Sequence, residues 1–255
     1  MERGAPAIAT TRTTLRGPTG MATSSLPTTR GGLPRALVGP PTVCDGARSS
    51  ALERAPMSAS ASHAFSFPAK IGVLLSGGGR TLENLAGWLE ERPDLARIAI
   101  VISDRKEAGG LARAERLGIP QRAMRCRSQS DGEKIFAVLE AVGVELVVLG
   151  GFLRLLHIPE RWLGRVLNIH PSLIPAHSGM GYYGDRVHRA VLEAGDSETG
   201  CTVHFVDNIY DHGEVIDRGV VPVEPGDTVE TLAARVFEAE CEIYPRAIEK
   251  VLRKE

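Results

Sequence analysis

Little in this 255-residue sequence points to a metal centre, a disulfide framework or a membrane. Its four cysteines, at 44, 126, 201 and 241, form no C-x-x-C pair. They suggest neither a zinc site nor paired disulfides, and fit a reducing compartment. No apolar run approaches the roughly 18 residues needed to span a bilayer. The net charge of −1 gives no overall attraction to nucleic acid or to an acidic membrane. No internal repeat is visible. The expectation is a cytoplasmic chain with no nucleic-acid partner and no membrane, and composition leaves monomer and homodimer both open. A hydrophobic content of 43% is enough for a full core.

Two compositions share the chain. Residues 1–67 are rich in Ala, Thr, Ser, Pro, Gly and Arg, with seven arginines against three acids (Glu2, Asp45 and Glu53). Such a stretch cannot bury enough surface to offset its ordering entropy, so a disordered low-complexity extension is expected. An Arg-rich, Ser-rich, acid-poor start also describes an organelle transit peptide. A true start at Met21 or Met57 is the third reading. Disorder or a misplaced start is favoured over targeting. Residues 68–255 are expected to form the folded domain.

From Lys70 onward, strand-like and helix-like runs alternate. Lys70–Ser76, Arg97–Ser103, Ile119–Met124, Val144–Leu149 and Val166–Ile169 are short apolar runs suited to buried parallel strands. Arg80–Glu91, Glu107–Leu117, Asp131–Val142 and Asp185–Glu193 read as helices, with Gly118, Gly143 and Gly195 where they stop. Arg154–Leu163 reads as one or two helical turns broken by Pro159. Cys201–Val206 and Glu214–Val223 read as an antiparallel strand pair. Thr228–Leu252 is a long last helix with Asp227 or Thr228 as its N-cap. The fold class is therefore α/β: a mostly parallel, doubly wound sheet with helices on both faces, an antiparallel C-terminal strand pair and a long terminal helix.

Several stretches carry chemistry. In Leu167–Pro175, Asn168 and His170 are two apart on a strand, so they share a face and emerge where the strand ends. Ligands bind at the carboxyl ends of strands in such sheets. An amide and an imidazole there can polarise a carbonyl and move a proton; alone, the pair reads more readily as a turn cap and a half-buried histidine. Ser76–Thr81 (S-G-G-G-R-T) joins the first strand to the first helix, where free backbone N–H groups favour an anion. Its spacing is neither the dinucleotide fingerprint nor the P-loop, and a plain tight turn is the competing reading. Arg80 adds a charge-assisted contact. Asp104 is the only acid placed near a strand end in the ribose-binding manner. His204 lies in an apolar strand and reads as a core histidine. Asp211 sits in a polar turn. Glu240 and Tyr244 share a helix face that reads as surface. His177 and His188 flank a glycine-rich loop.

In order along the chain, S-G-G-G-R-T, G-G-F-L-R-L-L, L-N-I-H-P-S-L-I-P, G-C-T-V-H-F-V, Y-D-H-G-E-V-I and E-C-E-I-Y-P resemble the phosphoribosylglycinamide formyltransferase family, from about Lys70 to Leu252. The resemblance implies the formyltransferase fold over 68–255. It also implies transfer of a formyl group from 10-formyltetrahydrofolate to the amine of glycinamide ribonucleotide, in purine biosynthesis, with no metal. Asn168, His170 and Asp211 match the catalytic trio, with Asp211 expected to hold His170 cationic. Gly79, Arg80 and Thr81 match the substrate-phosphate loop, and Glu240 matches a substrate-binding position. Leu153, Arg154, Leu155 and Leu156, with Asp207, Asn208, Ile209 and Tyr210, match the segments lining the folate pocket. His204 matches a histidine near the site.

Two relatives of this chemistry compete. Formyltetrahydrofolate deformylase shares the trio but carries a structured regulatory domain ahead of it; residues 1–67 are too rich in Pro and Gly for that, and Pro171 stands where that family tends to a histidine. Methionyl-tRNA formyltransferase adds a basic C-terminal domain, whereas this chain ends one helix after the sheet and its folded part is acidic. A non-catalytic binding protein on the same fold is a third possibility, disfavoured by an intact trio.

Overall fold

A computed structural model of the chain describes residues 64–254. The extension expected over 1–67 lies outside the described residues as far as residue 63. Phe65 packs against the core and Ser66 donates through both N–H and Oγ to Glu145, so residues before 68 also make contacts with the folded domain.

The elements run β1 (Ala69–Leu75), α1 (Arg80–Glu90), β2 (Ala96–Ser103), α2 (Gly109–Arg116), β3 (Gln121–Ala123), α3 (Gln129–Val142), β4 (Leu146–Leu149), β5 (Val166–His170), α4 (Asp185–Ala194), β6 (Glu198–Phe205), β7 (Val215–Pro222) and α5 (Val229–Arg253). The sheet has seven strands in the order β3-β2-β1-β4-β5-β6-β7. The first five are parallel; β6 runs antiparallel to β5, and β7 antiparallel to β6.

Period-two alternation divides the strand side chains between two cores. Val73, Leu75, Leu146, Val148, Leu167 and Ile169 meet α1, α2, α4 and α5 on one face. Leu74, Val147, Leu149 and Val166 meet α3 and the chain around Phe152 and Trp162 on the other. Helices thus cover both faces as expected, but unequally.

Three local expectations change. The stretch 154–163 holds only a 3-10 turn, Glu160–Trp162. Asn208 explains the extended chain before it: its Oδ1 accepts from Ile158 N–H at 2.8 Å and its Nδ2 donates to Ile158 C=O at 3.1 Å, taking the place of helical bonds. The third strand shrinks to three residues because only Val101–Ser103 pair with it. Tyr244 is fully buried rather than surface. Its hydroxyl lies 2.9 Å from Leu149 O and 3.1 Å from Leu167 O, which ties α5 to the end of β4 and the first half of β5.

From β1 the chain crosses to β2 on one side, and β4 lies on the other. The order therefore reverses between β1 and β4, and a ligand crevice opens beyond their carboxyl ends.

Candidate active site

A cleft of about 560 Å³ occupies this crevice. Asn168, His170 and Asp211 all line it. Asn168 and His170 share a face of β5, as their spacing predicts. The antiparallel register sets His204 opposite Asn168 and Thr202 opposite His170. Thr202 then staples the turn after β5: its Oγ1 donates to Ser172 O at 2.7 Å and accepts from Ile174 N–H at 3.1 Å.

The buried His204 is more than core. Its Nδ1 lies 2.7 Å from Phe205 O. A carbonyl only accepts, so Nδ1 carries a hydrogen; Nε2 lies 3.7 Å from Asp211 Oδ1 and meets the Asn168 amide nitrogen at 3.2 Å. That bond fixes which way Asn168 points and leaves its second N–H for the cleft.

His170 is held from both sides. Its Nε2 lies 2.9 Å from His177 O, so Nε2 carries the hydrogen, and Nδ1 lies 3.5 Å from Asp211 Oδ2. Burial pushes the imidazole pKa below its ordinary value; Asp211 and the His177 carbonyl pull it up only in part. Desolvation therefore works against the standing imidazolium that the carboxylate would favour. Asp211 shows the opposite balance. Burial alone would raise its carboxyl, but His204, His170 and the Gly179 N–H at 2.9 Å leave it lowered and ionised.

At one end of the cleft lies the glycine loop. Gly79 has φ +81°, and a Cβ there would stand 2.7 Å from Gly110 Cα, so only glycine fits. No side chain caps the N-terminus of α1, which leaves its first N–H groups open to an anion. Arg80 stacks its guanidinium 4.0 Å over the Phe237 ring. Thr81 and Glu240 face the same end, and burial raises the Glu240 carboxyl to about 7, with Arg80 opposing.

The other end is lined by Leu153, Arg154, Leu155 and Leu156, and by Asp207, Ile209 and Tyr210. Leu153 N–H donates to Ser76 Oγ at 2.9 Å, tying this segment to the end of β1. Asp104 is engaged by Arg154 at 3.0 Å. Asn208 does not line the cleft, since its amide is spent on Ile158. Among the described residues, no three His, Cys, Asp or Glu side chains group so as to hold a metal ion.

Residues 69–248 match the model of the formyl transferase family. The phosphoribosylglycinamide formyltransferase of Haemophilus influenzae is 37% identical over 185 residues, which are 70% of this chain and 85% of that protein. The chain belongs to this family. A crystal structure of glycinamide ribonucleotide transformylase 1 from Symbiobacterium toebii superposes with a TM-score of 0.68 at 40% identity, covering 73% of this chain and 88% of that one. The trifunctional purine biosynthetic protein adenosine-3 of Gallus gallus is 43% identical over 189 residues, 71% of this chain. This chain spans only 18% of that longer relative.

Within the formyltransferase fold, some cleft residues were not foreseen. Phe237 lies one turn before Glu240 on α5, so helical spacing alone placed it on the same face. His188, buried on α4, and the exposed Met180, Tyr182 and Tyr183 also line the cleft. The His177 carbonyl and the Gly179 N–H are main-chain groups with no side-chain signal in the sequence.

Proposed function

We propose that this chain transfers the formyl group of 10-formyltetrahydrofolate to the primary amine of glycinamide ribonucleotide. The observation that carries this reading is the convergence of Asn168, His170 and Asp211 on one wall of a cleft, with an uncapped glycine loop at one end and an apolar segment at the other. In this reading Gly79, Arg80 and Thr81 hold the phosphate and Glu240 the ribonucleotide. Leu153–Leu156 with Asp207, Ile209 and Tyr210 line the folate pocket.

The amine attacks the formyl carbon and the carbonyl pair moves to oxygen. The free N–H of Asn168 donates to that oxyanion; losing such a donor costs about 10²–10³ in rate. The amine proton goes to Nδ1 of His170, the nitrogen without a hydrogen. The imidazolium so formed faces Asp211, which stabilises it during the reaction rather than before it. The proton then passes to the folate nitrogen as its bond to carbon breaks. Tetrahydrofolate and the formylated ribonucleotide are the products.

The scattered cysteines support the cytoplasm as the site of action: Cys126, Cys201 and Cys241 are free, and burial pushes the first two thiols up to about 11 and about 12. Among the described residues no helix is long and apolar enough to cross a membrane.

The test is the rate of tetrahydrofolate release from 10-formyltetrahydrofolate, with and without glycinamide ribonucleotide. Release that depends on the amine is expected. Equal release with water alone assigns the chain to hydrolysis instead.

A further inference from the structure

The nitrogen that carries the hydrogen on His170 is chosen by a single main-chain oxygen, that of His177. His177 has φ +49°, a left-handed conformation that costs an ordinary side chain roughly 1–2 kcal/mol. Something must hold it there. Ser172 Oγ, which donates to Ala176 O at 2.6 Å, reaches His177 O only at 3.4 Å. The stronger anchor is the His177 side chain: its Nε2 lies 2.7 Å from Asp196 Oδ2. Asp196 is itself placed by the end of α4, where Gly195 adopts φ +71° and Asp196 N–H donates to Val191 O at 3.3 Å. A chain of contacts therefore runs from the C-terminus of α4, through Asp196 and the His177 ring, to the His177 carbonyl and the His170 ring.

Two residues further on, Gly179 donates its N–H to the Asp211 carboxylate that faces the other side of His170. The same short loop thus grips both partners of the imidazole. After Gly179, at φ +93°, come Gly181 at +98° and Gly184 at +52°. Glycine adopts such values freely, so that stretch offers little stiffness of its own.

We propose that His177 and Asp196 form a positioning pair for the catalytic histidine. The pair locks the His177 peptide so that its carbonyl takes the Nε2 hydrogen of His170, leaving Nδ1 bare toward Asp211 and the reacting amine. Neither residue lines the cleft. Their effect is on tautomer and ring orientation, where the partner of one ring nitrogen decides the state of the other. The catalytic consequence rests on the formyl-transfer reading above; the tautomer itself does not.

The experiment has two readouts. Nitrogen-15 NMR of the His170 ring in the intact protein reports the tautomer without any assay. Wild type is expected to show protonated Nε2 and bare Nδ1, and Asp196→Ala to show a mixture of both tautomers. In steady-state kinetics, Asp196→Ala and His177→Ala are expected to lower kcat about tenfold or more, as small misplacements of catalytic groups do, with both KM values within about threefold. His177→Asn is expected to recover much of that loss, because asparagine tolerates the left-handed conformation. A wild-type tautomer and wild-type kcat in Asp196→Ala overturn the proposal. So does a loss in His177→Asn equal to that in His177→Ala. If wild type shows the expected tautomer but no amine-dependent transfer, the functional reading fails while the pair stands.

Discussion

The site is assembled from two kinds of chain. Asn168, His170 and His204 stand on β5 and β6, where ladder hydrogen bonds and period-two alternation set their directions. Asp211 and His177 stand in loops, with φ of +50° and +49°, and are placed by individual side-chain and main-chain bonds. The strand-borne half inherits its geometry from the core. The loop-borne half keeps its geometry only while particular contacts last. A substitution in the first half should therefore remove chemistry and leave placement intact. One in the second half should disturb both.

The largest expected effect tests that contrast directly. His170→Ala should lower kcat by about 10² or more, the usual range for losing a general base, with thermal midpoint and both KM values little changed. Asp211→Asn should lower kcat comparably and also raise KM, because it weakens the grip on Gly179. Unchanged KM in Asp211→Asn would show that the loop holds without the carboxylate. Arg80→Ala comes next: the KM for glycinamide ribonucleotide should rise about tenfold or more, in line with a lost charged hydrogen bond, while the folate KM stays put. An equal rise in both would move Arg80 away from the phosphate.

Smaller effects concern the floor under the site. Tyr244→Phe should lower stability by about 1 kcal/mol in urea unfolding, for one hydroxyl shared between carbonyls of two adjacent strands. No loss would mean that packing alone seats α5. The smallest effect is a pH trend. The Glu240 carboxyl is raised to about 7 in the folded chain against an ordinary 4.5, because burial disfavours the charge. The folded state holds that proton more tightly, so its contribution is fully present below pH 4.5 and is lost as pH rises through about 7. Relative to Glu240→Gln, wild type should lose thermal stability between pH 5 and 8. A constant difference across that range would remove the half-buried Glu240 carboxyl from the account.

The same contrast separates what the sequence disclosed from what it did not. β5 was legible because apolar alternation around Asn168 and His170 fixes their common face, and the glycine loop was legible because Gly79 sits at a strand-to-helix turn where only glycine fits. Asp211 was reached through its place in a family pattern, since an aspartate in a turn has too many ordinary uses. Asn208 was assigned to the folate pocket by its neighbours, yet its amide points back to Ile158, a long-range partner that local pattern does not encode. Tyr244 looked like surface because its partners, Leu149 and Leu167, lie far back in the chain. The balance of forces on His170 was hidden for a related reason. The carboxylate beside it could be inferred from the sequence, but the depth of burial that outweighs it arises only when β5, β6 and the loop close around the ring.

A neutral His170 that accepts the amine proton at Nδ1 is the centre of the proposed mechanism, and the pH dependence of kcat at saturating substrates tests it most directly. The imidazole is lowered from its ordinary 6.5 by burial. The profile should be flat through neutral pH and fall on the acid side, with an apparent pKa below 6.5; in Asp211→Asn, which removes the carboxylate that raises it, the residual acid limb should lie lower still. Activity that is greatest in acid and declines as pH rises through 6.5 would show that the charged ring does the work, and would contradict the account.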